Sequence, residues 1–106
     1  MPKYMITGTY TAEGAKGLLK EGGSGRREAI QTAIASVGGT LETFYLAFGT
    51  DDFYVTVDLP NHAAAAAASL TVGASGTSRP RTIVLLTPEE VDEATKLSPT
   101  FRPPGG

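Results

Sequence analysis

The chain carries one histidine and a pair of adjacent aspartates, which are the first side chains to consider for chemistry. His62 is the only side chain whose ordinary titration falls near neutral pH, so it is a candidate proton shuttle. Asp51 and Asp52 offer two carboxylates to an acid–base pair or to a hard cation. Adjacent turn residues usually point apart, and aspartate is common in turns because it accepts hydrogen bonds from nearby backbone N–H groups. A structural interpretation therefore stays open for the two aspartates, and a solvated histidine at a helix start stays open for His62.

Three tyrosines are further candidates, because a phenol can donate a hydrogen bond or act as a weak acid. We expect Tyr10, Tyr45 and Tyr54 to line a cleft between a sheet and its helices. Tyrosine is also common in strands for packing alone, with its hydroxyl at an edge. Tyr10 is the first to test, since it stands at a strand end beside a helix start.

Arg26 and Arg27 stand where a helical segment begins, a place that the helix dipole makes unfavourable for cations. An anion bound by Ser24, Gly25 and the arginines would resolve this conflict, whether it belongs to Glu28, to a partner or to a ligand. The alternative is a pair of solvated arginines. The glycines in this stretch match neither a P-loop nor a dinucleotide fingerprint, so nucleotide binding is not indicated.

Composition restricts the remaining classes of site. There is no cysteine, which rules out disulfides and thiolate metal sites, and a single histidine does not complete a metal site. We predict no metal and no cofactor. The formal net charge of −2 gives no broad basic surface for nucleic acid. The first residues do not resemble a leader, and no apolar run approaches the ~20 residues that span a bilayer, so we expect a soluble, cytoplasmic protein without nucleic-acid or membrane partners.

Two strands joined by a turn at residues 49–52 form the centre of the predicted fold. In the second strand, Phe53, Val55 and Val57 alternate with polar residues. In the first, strict alternation places Leu41 and Tyr45 on one face and Phe44 and Leu46 on the other, which leaves both faces apolar. One helical layer covers one face, so we expect a second copy of the chain to cover the other.

The rest of the chain alternates between strands and helices. We expect a strand at 3–10, helical segments at 12–21 and 26–37, a helix from 62 to about 72, a strand at 81–86 and a short helix ending near 96. This order is the ferredoxin-like βαββαβ pattern, an α+β fold with a four-stranded antiparallel sheet and helices on one face. We expect one domain at residues 1–96 and an extended or disordered tail at 97–106.

Four strings extend this prediction to a family: YTAEGAK at 10–16, RRE at 26–28, GGTLETFYLAFGTDDFYV at 38–55 and LPNHAAAA at 59–66. In this order and spacing, they resemble the GYD domain family of small bacterial proteins. The resemblance covers roughly residues 3–90 and implies a dimeric α+β barrel, in which two sheets pack face to face, with no established biochemical role. Its Gly-Tyr-Asp cluster corresponds to Gly49 and Asp52 in the turn, and Asp51 stands where the tyrosine is expected.

Two functions are compatible with these observations. The first is a small homo-oligomer that binds a small molecule between sheet and helices, with Tyr10, Tyr45, Asp52, His62 and Arg26 as candidate ligand-binding residues. The alternative is a cofactor-independent isomerase or monooxygenase of the kind that other barrel dimers provide. That alternative is an analogy of fold, and it requires at least two of Tyr10, His62 and Asp52 to converge on one pocket. The sequence does not specify whether the chain is an enzyme.

Overall fold

A computed structural model describes residues 1–106 and shows an α+β fold. Its elements are β1 (Lys3–Tyr10), α1 (Ala12–Ser36), β2 (Thr40–Leu46), β3 (Phe53–Asp58), α2 (His62–Ala74), β4 (Ser78–Leu85) and α3 (Pro88–Thr95). The four strands form one sheet in the order β2-β3-β1-β4, and every neighbouring pair is antiparallel. The predicted class, an α+β fold with a four-stranded antiparallel sheet, is confirmed.

The core lies between one face of the sheet and the two longer helices. Tyr4 of β1 and Val57 of β3 are directly paired and are 1% and 0% exposed, so they mark the buried face. Ile34 of α1 and Ala65 of α2 pack against the same cluster. Both helices therefore cover this face and not the opposite one, which is called the open face below. On the open face, the turn residue Asp51 covers Thr7, which is 2% exposed.

Helix α1 begins and bends at residues with clear local causes. The Thr11 hydroxyl caps its start by accepting a hydrogen bond from the Gly14 N–H. Gly22 has φ 80° and ψ 169°, a conformation that is essentially restricted to glycine, and it kinks the helix. The predicted break is therefore present, but a single residue makes it, and Ser24 lies after the kink and inside the helix. Gly38, with φ 83°, follows the end of α1 as a left-handed cap residue.

Two glycines bring β1 and α1 close to the chain around the start of β4. A Cβ atom on Gly8 would lie 2.1 Å from the carbonyl oxygen of Arg79. One on Gly14 would lie 1.9 Å from that of Thr77. The sequence predicts either a bulge or a close backbone approach at Gly8, and the close approach is confirmed.

Strand β2 contains a bulge that changes which residues face the helices. Leu41 pairs with Val57 and Thr43 with Thr56, so Glu42 is an extra residue between them. Leu41 packs against the core, whereas the Glu42 and Thr43 side chains both hydrogen-bond to Thr56. Strict alternation through this strand is therefore wrong. The bulge turns Leu41 towards the helices and Glu42 towards the open face, which is more polar than predicted.

The C-terminal arm, residues 86–106, is exposed along its whole length. Its helix α3 begins with a capping box, in which Thr87 and Glu90 bond reciprocally. Three large apolar side chains of the arm, Val91, Leu97 and Phe101, are exposed. The arm therefore projects from the sheet and helices, and the predicted division into a domain at 1–96 and a tail at 97–106 stays a prediction.

None of the helices has the combination of length and apolar character that crossing a lipid bilayer requires. The cytoplasmic location stays a prediction.

Candidate functional site

A cavity of about 460 Å³ lies between α1, α2 and the buried face of the sheet. Its lining includes Ile6, Tyr10 and Phe53 from the sheet, Arg26 and Ile30 from α1, and Ala68 from α2. Twelve of the eighteen lining residues are hydrophobic, and Arg26 is the only Lys, Arg, Asp or Glu among them. The cavity is therefore apolar with one permanent charge.

Small side chains on both helices explain why this space is not filled. Helix α1 contributes Ala29 and Ala33 to the lining, and α2 contributes Ala67 and Ala68. Six consecutive alanines at 63–68 favour helix formation strongly but add little bulk over the sheet. The run that makes α2 a stable helix therefore also leaves room beneath it.

Tyr10 is placed at the cavity by the end of β1, where the chain turns into α1. Its ring packs on that of Phe53, with centroids 5.1 Å apart. Burial raises the pKa of the Tyr10 phenol, and the nearby positive charge of Arg26 partly opposes this rise. At neutral pH, Tyr10 is therefore a neutral hydrogen-bond donor and acceptor beside a cation.

Arg26 lies just beyond the Gly22 kink, which carries it to the cavity wall. Its Nε atom is 3.2 Å from Oε1 of Glu21, an ion-pair distance. The same Nε is buried and makes no hydrogen bond, so the approach of Glu21 supplies charge without satisfying the N–H. The anion beside Arg26 within the chain is Glu21 and not Glu28, and the N–H of Arg26 Nε is left without an acceptor.

The two adjacent aspartates hold the hairpin turn against β1 in different directions. Asp52 accepts a hydrogen bond from the Tyr10 backbone N–H at 2.9 Å. Asp51 is 7% exposed, accepts a hydrogen bond from the Thr7 hydroxyl at 2.9 Å and pairs with the Arg81 guanidinium. They bond to different partners, as expected of neighbours in a turn. Asp52 fixes the backbone of Tyr10 and does not itself line the cavity.

His62 lies far from Tyr10, at the other end of β1. Its Nδ1 is hydrogen-bonded to the hydroxyl of Tyr4 at 2.5 Å, and the two rings meet edge-on. Tyr4 and Tyr10 are six positions apart on β1, or about 20 Å at ~3.3 Å per residue. His62 therefore satisfies the hydroxyl of a fully buried tyrosine, and the structure does not bring it together with Tyr10 and Asp52.

Tyr45 is on the open face, away from the cavity. It is 67% exposed and directly opposite Tyr54 of β3, so the three tyrosines do not share one cleft. On the same face, Lys3 is bonded to Glu42 and Asp58, and these hydrogen bonds raise the pKa of the Lys3 ammonium group. Among the predicted ligand-binding residues, the structure places Tyr10 and Arg26 at the cavity and leaves Tyr45, Asp52 and His62 outside its lining.

Several contributors to this region were not predicted. Glu21 stands five residues before Arg26, a spacing at which two side chains on a straight helix do not meet, and only the kink brings them together. The Asp51–Arg81 pair joins residues 30 positions apart, for which the sequence has no local signal. No three His, Cys, Asp or Glu side chains are grouped so that they could hold a metal ion.

The family model of the GYD domain matches residues 4–95. The chain belongs to the GYD domain family. No curated protein and no solved structure matches it. The matched region of this GYD domain contains all of β1 except its first residue, both cavity-forming helices, the hairpin and the whole of α3.

The hairpin turn of this GYD domain departs from the motif that the family resemblance implies. Gly49 lies at an open position, where an added Cβ atom would have no other atom within 4 Å, and Asp52 anchors the turn to β1. Asp51, at the position where a tyrosine is expected, is the buried partner of Arg81. An ion pair with a hydrogen bond to Thr7 thus occupies this position, and no tyrosine hydroxyl is needed to hold the turn here.

Proposed function

We propose that this GYD domain binds a small, largely apolar molecule in the cavity between α1, α2 and the sheet, and that it works as a homo-oligomer. The cavity carries the proposal. Its volume of about 460 Å³ falls within the roughly 300–1,000 Å³ of small-molecule sites. Such sites combine mostly hydrophobic walls with a few polar groups that orient the ligand, and Tyr10 and Arg26 are placed for that role.

The space is open to solvent on one side, since lining residues such as Ala33 and Thr71 are exposed. Apolar walls that stay in contact with water are unfavourable by roughly 25 cal/mol per Å² of apolar surface. A ligand that replaces water against the apolar walls would recover part of this free energy, which supports a binding role.

Self-association is supported by apolar groups that the chain itself leaves uncovered. The open face carries the Tyr45–Tyr54 pair and Ile83, which is 44% exposed. The C-terminal arm adds Leu97 and Phe101, which are 73% and 76% exposed. A second copy of the chain would present the same surfaces and could cover both.

The strand order supports a finer description of the fold. Taken from the opposite edge, the order β2-β3-β1-β4 becomes 4-1-3-2, with the two longer helices on one face. We propose that the domain is ferredoxin-like and that its open face meets that of a second copy, as in dimeric α+β barrels.

The cofactor-independent isomerase or monooxygenase has less support. Asp52 is bonded to the backbone of Tyr10, and His62 is bonded to Tyr4, which stands about 20 Å of strand away from Tyr10 on β1. Neither residue lines the cavity, so the pair of proton-transfer groups which that alternative needs is not formed by these three residues.

Calorimetric titration with decanol, a neutral apolar probe, tests the binding function. We expect saturable binding by the wild-type protein and loss of binding in Ala68→Phe, because Ala68 is half-buried in the cavity lining and the added ring occupies the cavity. Ala66→Phe is the matched control, since Ala66 is on the same helix, exposed and outside the lining. The proposal fails if wild-type protein shows no saturable binding, or if the two variants bind decanol equally well.

A further inference from the structure

We propose that the ligand of this cavity is an amphipathic anion, an apolar chain or ring with a single carboxylate-like group, and that Arg26 binds its charged end. This inference rests on the proposed function, because it concerns the ligand of the same cavity. It specifies the charge and shape of that ligand, which the apolar lining alone does not.

The hydrogen-bonding state of Arg26 is the first support. Its Nε is buried, yet it has no hydrogen-bond partner in the protein. A buried donor without an acceptor is unfavourable by about 1–3 kcal/mol, and more for a charged group. An acceptor supplied by a ligand would remove this penalty, and a carboxylate suits the planar guanidinium because two parallel hydrogen bonds can form.

The second support is the composition of the cavity lining around Arg26. Arg26 is the only Lys, Arg, Asp or Glu residue lining the cavity, and Ile30, Phe44 and Phe53 are among the groups around the remaining space. A ligand with an apolar body and one anionic end matches this distribution. A cationic ligand would place a like charge beside Arg26, and a neutral acceptor such as a hydroxyl forms a weaker hydrogen bond to the guanidinium than a carboxylate does.

Glu21 and Tyr10, the groups beside Arg26, also favour an anionic ligand. Glu21 already stands 3.2 Å from Arg26, so the site tolerates a carboxylate at this arginine. The Glu21 side chain is 38% exposed and can turn to solvent when a ligand carboxylate arrives. Tyr10, whose pKa is raised by burial, keeps its proton at neutral pH and can donate a second hydrogen bond to an anion.

Three probes with the same ten-carbon chain separate charge from apolar contact: decanoate, decanol and decylamine. Their affinities are measured by calorimetry on the full chain at neutral pH. We expect decanoate to bind roughly tenfold or more tightly than decanol, the range of a hydrogen bond to a charged group. We expect decylamine to bind most weakly of the three.

The arginine is tested by Arg26→Gln, with Arg27→Gln as the matched control. Arg27 is the neighbouring residue of the same type and charge and does not line the cavity. We expect Arg26→Gln to lower decanoate affinity to that of decanol while leaving decanol affinity within about twofold. Arg27→Gln should retain the preference for decanoate, which excludes a general effect of net charge.

The outcomes distinguish the two proposals. If decanol binds as tightly as decanoate to the wild-type protein, the cavity is a binding site but the inference of an anionic ligand is wrong. If none of the three probes binds, the proposed function itself fails. The comparison of probes on the wild-type protein needs no variant, so it decides the question even if Arg26→Gln does not fold. Retained preference for decanoate in a folded Arg26→Gln protein would exclude Arg26 as its partner.

Discussion

Tyr10 connects the hairpin turn to the cavity, and the pKa of its phenol indicates how far the side chain is buried there. Its backbone N–H is bonded to Asp52, and its phenol lies among the cavity residues. Burial raises the pKa of the phenol above the ordinary 10.0, which means that folding favours the neutral form. The associated stability is present below the unfolded-state pKa, and it is lost as the pH rises through the folded-state pKa.

The difference in tyrosinate absorbance between wild-type protein and Tyr10→Phe should therefore titrate with a midpoint above 10.0. The difference isolates the one tyrosine that is removed, so the other three cancel. Circular dichroism at each pH checks that the protein is still folded. A midpoint at or below 10.0 in folded protein would show that Tyr10 is exposed to water and does not line a desolvated wall.

At the residue scale, the sequence identifies candidate side chains but not which of them meet. Tyr10 and Arg26, both candidates from the sequence, do line the cavity. His62, a third candidate, is instead bonded to Tyr4, which is 58 positions away in the sequence. The partners of Asp51 are also distant in the sequence, because Thr7 is on β1 and Arg81 is on β4. Residue type and spacing carry no information on such long-range pairs, which depend on strand register.

Two glycines of α1 give a matched test of how closely the elements pack. A Cβ on Gly14 would lie 1.9 Å from the Thr77 carbonyl oxygen, whereas one on Gly17 would have nothing within 4 Å. Gly14→Ala should lower the free energy of unfolding by about 1–3 kcal/mol, because the backbone must move apart. Gly17→Ala should raise it by about 0.5–1 kcal/mol, because alanine is the better helix former. Urea denaturation measures both, and equal effects of the two substitutions would mean that α1 is not held against the segment before β4.

At the element scale, local signals predict the elements well and long-range contacts do not. Asn61 is a typical capping residue and caps α2, and the capping box of Thr87 and Glu90 marks the start of α3. The start of β4 is missed by three residues, because Pro80 argues against a strand and its edge position tolerates a proline. The bulge at Glu42 is also missed, since Lys3, which bonds Glu42 on the open face, is 39 positions away.

At the scale of the whole molecule, the apolar groups of the open face predict a dimer. A single charge introduced on that face should weaken it. Tyr54 lies on β3, an interior strand, and is 40% exposed. Tyr54→Glu should raise the dissociation constant of the dimer about tenfold or more, because a carboxylate would be buried without a partner. Sedimentation velocity over a range of concentrations measures this constant.

Leu19→Glu is the control for that experiment, since Leu19 on α1 is 88% exposed and lies outside the sheet. It introduces the same charge and should leave the association unchanged. A wild-type protein that stays monomeric at every concentration would contradict self-association. Equal weakening by both variants would place the contact away from the open face.

The bulge in β2 also has a bearing on aggregation. β2 and β4 are the two outer strands of the sheet, where unpaired N–H and C=O groups could recruit a strand from another molecule and start a fibril. The extra residue at Glu42 interrupts one of these borders, and Pro80, which has no N–H to donate, interrupts the other. Growth of the sheet sideways into an amyloid-like ribbon is thus disfavoured on both borders.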